Sequence, residues 1–296
     1  MSKKFLFKGA ATAVVTPFDN SGNIDLKELS RIIEFQISQK IDAIVLCGTT
    51  GEAPTLSDTE HQKMIAHAAE IVNGRIPLIC GTGSNDTAHA IMMSKCASAN
   101  GATGLLLVTP YYNKTNSKGL IKSFSAIADS VDLPMIIYNV PSRTTVDIPL
   151  EVYRTLSVHP NIVGVKEAST NIGKFARLVY ETENELFIYT GNDDNLISTL
   201  AVGGMGIISV TSNIIPKYIH DICENWFNKE YDTAQKMHIK LCELNSLLFS
   251  DINPIPVKAA MRILGYSCGK PRLPLVEMSD EGQRLLKNEL KRLNII

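Results

Sequence analysis

A lysine inside an apolar run is the residue of this sequence best suited to do chemistry. Lys166 follows Ile-Val-Gly-Val in the stretch NIVGVKEAST, which otherwise predicts a buried strand. An unpaired buried ammonium is costly, so this lysine must pair with a carboxylate, lie where the strand reaches water, or be neutral part of the time. A neutral lysine in an apolar wall can act as a Schiff-base nucleophile, whereas pairing with a carboxylate would make it structural.

Polar side chains at the ends of other apolar runs could complete such a site. Tyr138 and Arg143 lie in YNVPSR, Thr49 and Thr50 in GTTGE, and Tyr112 in VTPYYN. They offer phenols for proton transfer, hydroxyl groups for one carboxylate and a guanidinium for another. Each also has an ordinary alternative, as a core aromatic, a helix-entry turn or a surface arginine.

The apolar runs that must position these side chains occur eight times. They are rich in β-branched residues and end in Gly, Pro, Ser, Thr or Asn, as buried parallel strands do. They cover residues 12–18, 43–48, 77–83, 104–110, 135–141, 162–169, 186–192 and 206–213. Amphipathic stretches lie between them, and the pairs Asp25/Glu28 and Ser57/Glu60 have the spacing of helix capping boxes.

Strand alternating with helix eight times predicts a (β/α)8 barrel. A doubly wound sheet is the alternative, but the chain lacks both the G-x-G-x-x-G motif and a P-loop. After about residue 216 only helical patterns continue. We therefore expect a catalytic barrel over residues 1–225 and a helical extension over residues 226–296.

The active site of such a barrel lies where the strands end at their carboxyl side. The candidate residues therefore form one ring with the other polar residues found there. These are Thr16, Glu52, Thr82, Tyr111, Asn192 and Ser209.

Composition excludes several classes of protein. The formal net charge of −1 gives no field to attract nucleic acid or an anionic membrane. Lys8 interrupts the apolar N-terminus, so we expect neither a signal peptide nor a transmembrane segment. The six cysteines show no C-x-x-C spacing and predict small core residues of a cytoplasmic protein. No residues have metal-ligand spacing, so no metal is expected.

Five motifs carry a resemblance to a known family. GTTGE, VTPYYN, YNVPSR, GVKEAS and GIISVTSN occur in this order at barrel spacing, and they closely resemble the dihydrodipicolinate synthase family over nearly the whole chain. The lysine and YN-x-P are shared with a wider superfamily of pyruvate aldolases. The resemblance implies a lyase that condenses pyruvate with L-aspartate 4-semialdehyde to 4-hydroxy-tetrahydrodipicolinate, in diaminopimelate and lysine biosynthesis, without a separate cofactor.

The resemblance also implies catalytic roles. Lys166 forms the Schiff base with pyruvate, and Tyr138 shuttles protons through contacts with Thr49 and Tyr112. In the family this second tyrosine crosses a dimer interface into the neighbouring site. A homodimer or homotetramer is therefore expected.

Substrate binding is implied at four further positions. Thr50 holds the pyruvate carboxylate, Arg143 binds the carboxylate of the semialdehyde, and Gly191 and Ile208 line the site through backbone groups. Thr145 stands where many family members have glycine. This departure alters the stiffness of the loop and leaves the catalytic roles unchanged.

Feedback-inhibited members of the family bind lysine near the active site. The corresponding positions here are Ala53, Asp58, His61, Asn85, His89 and Tyr111. Sensitive members have a carboxylate where His89 stands, and an imidazole offers no full counter-charge to an ammonium. The sequence therefore predicts weak or absent inhibition by lysine.

Two other functions stay open on the sequence alone. One is a pyruvate aldolase acting on a sugar acid or hydroxy acid, which Arg143 disfavours because those substrates place hydroxyl groups there. The other is a non-catalytic scaffold that kept the fold, which the complete polar ring disfavours.

Overall fold

The strands form one closed parallel barrel, so the predicted (β/α)8 fold is confirmed. The computed structural model describes residues 3–296. Each strand pairs with its neighbour in chain order, and the first pairs with the last. The strands are β1 Gly9–Ala13, β2 Ala43–Leu46, β3 Leu78–Gly81, β4 Gly104–Val108, β5 Met135–Asn139, β6 Ile162–Glu167, β7 Phe187–Thr190 and β8 Gly206–Ser209.

Helices connect the strands and continue beyond the barrel. Those that follow strands within the barrel are α1 Leu26–Ser38, α2 Asp58–Val72, α3 Thr87–Ala99, α4 Ser117–Ala128, α5 Pro141–Thr144, α6 Leu150–Leu156, α7 Ile172–Glu181, α8 Leu196–Ala201 and α9 Pro216–Phe227. The extension holds α10 Tyr231–Lys240, α11 Cys242–Leu248, α12 Ile255–Ile263 and α13 Asp280–Arg292. Helix α9 runs across the predicted boundary at residues 225 and 226, and the division into two units stays a prediction.

The first strand lies earlier than the sequence predicts. The apolar run covers residues 12–18, but β1 ends at Ala13. Val14 still donates to the carbonyl of Val45, and the chain then leaves the sheet toward Pro17, which has no backbone donor. The run continues because Val14, Val15 and Phe18 stay buried after leaving the strand. The apolar composition of residues 14–18 therefore indicates that they are buried, and not that they belong to a strand.

Two helix starts were predicted as capping boxes, and one of them is complete. At α2 the Ser57 hydroxyl accepts from the backbone N–H of Glu60, whose carboxylate accepts in return from the backbone of Ser57. At α1 the Asp25 carboxylate accepts from the backbone N–H of Glu28. The Glu28 carboxylate, however, accepts from the backbone of Ser267, so the second half of that box is absent.

Two apolar layers make up the core. The inner layer fills the barrel, and the outer layer packs the strands against the helices. Phe7 lies at the amino-terminal end of the barrel, where it stacks on Tyr189 with ring centroids 4.3 Å apart and its carbonyl accepts from the Tyr189 hydroxyl at 2.7 Å. The cysteine prediction holds in part, since Cys242 is exposed and Cys96 is half-buried while the other four are buried.

A buried ion pair fastens the C-terminal extension to the barrel. Lys258 of α12 donates to the Glu52 carboxylate at 2.7 Å, and both side chains are almost fully buried. The other oxygen of Glu52 accepts from the backbone of Arg272, whose guanidinium binds Glu60 of α2 and lowers the pKa of that carboxyl to about 2. Burial lowers the pKa of Lys258, and Glu52 opposes that shift. The loop after β2 is thus held from the far end of the chain.

None of the helices between residues 3 and 296 is both long and apolar enough to cross a membrane.

We predict that Lys258→Met destabilises the protein by about 3–5 kcal/mol, because it leaves the Glu52 carboxylate buried without its cation. The free energy of unfolding in urea would measure this loss. The matched control is Lys270→Met, which removes an exposed ion pair with Glu277 and should cost less than about 1 kcal/mol. Equal losses in the two variants would contradict the prediction.

Candidate active site

Lys166 lies inside the barrel at the carboxyl end of β6. Its side chain is nearly buried, at 6% exposure, and it is directly opposite Tyr138 on β5. The Lys166 Nζ atom lies 4.2 Å from the centre of the Tyr138 ring. Within residues 3–296 no carboxylate oxygen lies within 4.0 Å of the Lys166 Nζ atom, so this lysine makes no ion pair there. The structure therefore contradicts the alternative in which this lysine is paired with a carboxylate.

The space around Lys166 depends on a glycine. A Cβ atom built on Gly191, just after β7, would lie 2.9 Å from Lys166 Cε and 2.8 Å from the Ala168 Cβ. A larger residue would therefore displace the lysine. The backbone N–H of Gly191 donates to the carbonyl of Glu167 at 2.7 Å, which fixes this close approach.

A cavity of about 420 Å³ opens at the same end of the barrel. Its lining includes Thr49, Tyr138 and Arg143, which the sequence assigned to the site. Lys166 is not part of that lining, but it contacts the Tyr138 ring. Tyr138 thus joins the buried amine to a space large enough for a small ligand.

The loop after β2 presents the two threonines differently. Thr49 lines the cavity, whereas Thr50 is 3% exposed and its hydroxyl accepts from the Asn253 side chain at 3.0 Å. The Asn253 carbonyl in turn accepts from the Arg143 guanidinium at 3.2 Å. One residue of the extension therefore contacts two candidate substrate-binding residues.

The sequence analysis missed Asn253. It lies between α11 and α12, and its buried side-chain oxygen has no partner among the residues described. The only local signal is a polar residue before Pro254 in DINPIPVK, which marks a break between helices. Nothing local indicates which loops this asparagine contacts.

Tyr112 and Ile208 are two of the predicted site residues that are not part of the cavity lining. Tyr112 is 94% exposed with a φ of +67°, which is unfavourable for a bulky residue, and it does not line the cavity. The expected entry of Tyr112 into the active site of a neighbouring chain stays a prediction. Ile208 on β8 is fully buried in the inner core of the barrel. Its expected role uses only its backbone.

Several other members of the predicted ring hold loops in place. The Thr16 hydroxyl donates to the carbonyl of Gly51, Thr82 bonds Ser94, Asn192 donates to the carbonyl of Ser169, and Ser209 donates to the Asp193 carboxylate. Asp193 also accepts from the backbone of Val210. Burial raises the pKa of Asp193. These groups shape the mouth of the barrel, and each already has a protein partner.

Five of the six positions that correspond to the lysine-binding residues of feedback-inhibited family members line the cavity. Ala53, His61 and Tyr111 line it, and burial lowers the pKa of His61. Asp58 and His89 also line it and contact each other, with 3.0 Å between the carboxylate and Nε2. Asp58 therefore already has a partner. Asn85 is not part of the lining.

One group of possible metal ligands lies away from this site. His220, Asp221 and Glu224 place ligand atoms within 4.8 Å of one another on α9. His220 contacts Asp42, which precedes β2 and so lies at the amino-terminal end of the strands. Hydrogen bonding to Asp42 raises the pKa of His220. The group is separate from Lys166 and takes no part in the candidate site.

Comparisons with known proteins agree with the motifs. The Dihydrodipicolinate synthetase family model matches residues 6–293. A 4-hydroxy-tetrahydrodipicolinate synthase of Thermoanaerobacter sp. (strain X514) is 48% identical over 98% of both chains.

Two solved structures share the fold closely. The chloride-inhibited dihydrodipicolinate synthase from Acinetobacter baumannii, complexed with pyruvate, is 40% identical over 98% of this chain and 99% of that one, with a TM-score of 0.95. The enzyme from Cyanidioschyzon merolae with lysine bound is 35% identical over 99% and 100%, with a TM-score of 0.96. This chain therefore belongs to the dihydrodipicolinate synthetase family.

Proposed function

We propose that the protein is a 4-hydroxy-tetrahydrodipicolinate synthase. It condenses pyruvate with L-aspartate 4-semialdehyde and supplies diaminopimelate and lysine biosynthesis. The observation that carries the proposal is the environment of Lys166: a nearly buried amine with no carboxylate partner among the described residues, which lies beside Tyr138 and close to Gly191. The pyruvate complex of the Acinetobacter baumannii relative supports the choice of first substrate.

The first half of the reaction makes an enamine on Lys166. Its free amine adds to the keto carbon of pyruvate, and water leaves as the imine forms. Tyr138, whose ring contacts the amine, would move the protons of these steps. The buried hydroxyl of Thr50, held by Asn253, would bind the pyruvate carboxylate. Loss of a methyl proton then gives the enamine.

The second half of the reaction would take place in the cavity that Arg143 lines. The enamine carbon attacks the aldehyde of the second substrate, whose carboxylate would pair with the Arg143 guanidinium. The amine of that substrate then displaces Lys166 and closes the ring. Orientation by fixed donors supplies the catalytic advantage, and no metal or separate cofactor is needed.

The proton relay would include a residue of a second chain. The exposed Tyr112 leaves its own site and would enter that of a neighbour, next to Thr49 and Tyr138. The working assembly is then a homodimer or a homotetramer in the cytoplasm, with no nucleic acid or membrane partner.

We predict that sodium borohydride with pyruvate adds one covalent adduct per chain, on the peptide containing Lys166. Lys166→Ala should abolish the adduct, because no other lysine occupies the barrel strands. Mass spectrometry of the digested protein would locate it. Lys270→Ala, which changes an exposed lysine of the extension, serves as the control and should keep the adduct. An undiminished adduct in Lys166→Ala would overturn the assignment.

We predict that Arg143→Ala impairs use of aspartate semialdehyde while pyruvate trapping stays largely intact. Loss of one partner of a carboxylate pair typically costs about 2–5 kcal/mol, so kcat/KM for the semialdehyde should fall at least about tenfold. Steady-state rates with each substrate varied would show this. Equal losses in trapping and in semialdehyde use would mean that Arg143 acts structurally, through its contact with Asn253.

We predict weak or absent inhibition by lysine. His89 stands where feedback-inhibited members of the family have a carboxylate, and the nearby Asp58 carboxylate already contacts His89. Initial rates over a lysine titration would measure it, and half-inhibition below about 1 mM would contradict the prediction. His89→Glu places a second carboxylate at this side of the cavity. That variant should bind lysine at least about tenfold more tightly than the wild type.

A further inference from the structure

Glu167 is a fully buried carboxylate next to Lys166 that the proposed reaction does not use. Because successive side chains of a strand face opposite sides, Lys166 enters the barrel and Glu167 faces the surrounding helices. Its oxygens accept from Asn139 Nδ2 at 2.9 and 3.0 Å and from the backbone N–H of Ser169 at 2.8 Å. The Lys174 Nζ atom lies 3.4 Å away.

These contacts belong to a group of four side chains, here named the outer clamp, formed by Asn139, Asp147, Glu167 and Lys174. Asn139 Nδ2 also donates to Asp147 at 2.8 Å, and its oxygen accepts from the backbone of Ile148 at 3.1 Å. Lys174 is buried and bonds the Asp147 carboxylate as well. The clamp therefore joins the ends of β5 and β6 to α7 and to the segment before α6.

The clamp lies behind the catalytic pair in the sheet. Asn139 is opposite Glu167, just as Tyr138 is opposite Lys166 one position earlier. The pairing of β5 with β6 is irregular near its start, where the register shifts between Met135 and Ile136. Beyond that shift the two strands stay in register to their ends, where Asn139 pairs with Glu167. The clamp contacts therefore lie at the end of the ladder, directly after the pair formed by Tyr138 and Lys166.

We propose that Glu167 is the positioning residue for Lys166 and acts through the outer clamp. This inference rests on the proposed function. Glu167 ties the carboxyl end of β6 to Asn139, so the amine of Lys166 is held at a set distance from Tyr138. Lys174 neutralises the buried charge from the helical layer, outside the barrel interior.

The rate of the first covalent step depends on the distance between the Lys166 amine and the keto carbon of pyruvate. Addition of the amine to a keto carbon requires the reacting atoms at roughly 3–3.5 Å, and a displacement of about 1 Å can cost about a hundredfold in rate. If the end of β6 loosens, Lys166 samples positions away from the keto carbon. The first covalent step should then slow even in chains that are fully folded.

The test is the rate of pyruvate trapping by sodium borohydride, measured well below the thermal midpoint of each variant. Glu167→Leu removes all clamp contacts of the carboxylate and should slow trapping about a hundredfold. Glu167→Gln keeps one acceptor oxygen for Asn139 and Ser169 and should slow it about tenfold. This partial rescue by the conservative variant is expected only if the clamp contacts matter.

Asp42→Asn is the matched structural control. Asp42 binds the backbone of Ala10 at 2.8 Å and His220 at 2.9 Å at the opposite end of the barrel. Its loss should lower the thermal midpoint and leave the trapping rate unchanged. Trapping that slows equally in Asp42→Asn and in Glu167→Gln would overturn the proposal, because general loosening would then explain both.

Two further outcomes separate this proposal from the proposed function. Wild-type protein that forms no adduct would overturn the Schiff-base function, and the role of Glu167 with it. Wild-type protein that traps pyruvate while both Glu167 variants trap at its rate would overturn the positioning role alone. If Glu167→Leu does not fold, Glu167→Gln decides by itself. A trapping rate within about twofold of wild type, the spread of a neutral change, would then overturn the positioning role.

Discussion

The site depends on one electrostatic constraint, which is an amine kept in an apolar barrel without a counter-ion. A buried charge normally needs a partner, because its desolvation costs several kcal/mol. Within residues 3–296 Lys166 has no carboxylate partner, and its contact with the face of the Tyr138 ring is weak compared with an ion pair. The surrounding strands and loops must therefore hold Lys166 in place by packing and backbone hydrogen bonds, as Gly191 shows.

The other buried lysines follow the opposite rule. Lys258 pairs with Glu52, and Lys174 lies between Glu167 and Asp147, both outside the barrel interior. Removing Glu52 would leave Lys258 as a buried cation without a carboxylate, whereas Lys174 would keep one carboxylate after the loss of the other. Among the buried lysines of the described residues, Lys174 and Lys258 form ion pairs that fasten helices to the barrel. Lys166 forms none and lies at the end of β6, where the proposed reaction takes place.

Local patterns predicted the elements well where composition and pairing agree. The β-branched runs gave eight strands in the right order, and the spacing of Ser57 and Glu60 gave a complete capping box. The prediction for the first run failed because the residues after Val14 are buried without pairing to a barrel strand. The box at Asp25 failed in part because Glu28 bonds Ser267, a residue far along the chain. In both cases tertiary contacts decided what local sequence left open.

The sequence by itself determined the barrel, the place of Lys166 on a strand, and the candidate residues around it, because periodicity and residue type act over a few neighbouring positions. The tertiary structure alone decided that Lys166 has no carboxylate partner among residues 3–296, that Thr50 contacts Asn253, and that Glu52 pairs with Lys258. The last two contacts join residues 203 and 206 positions apart. Such pairs leave no local pattern, since a buried asparagine or lysine is defined by the distant chain that folding brings against it.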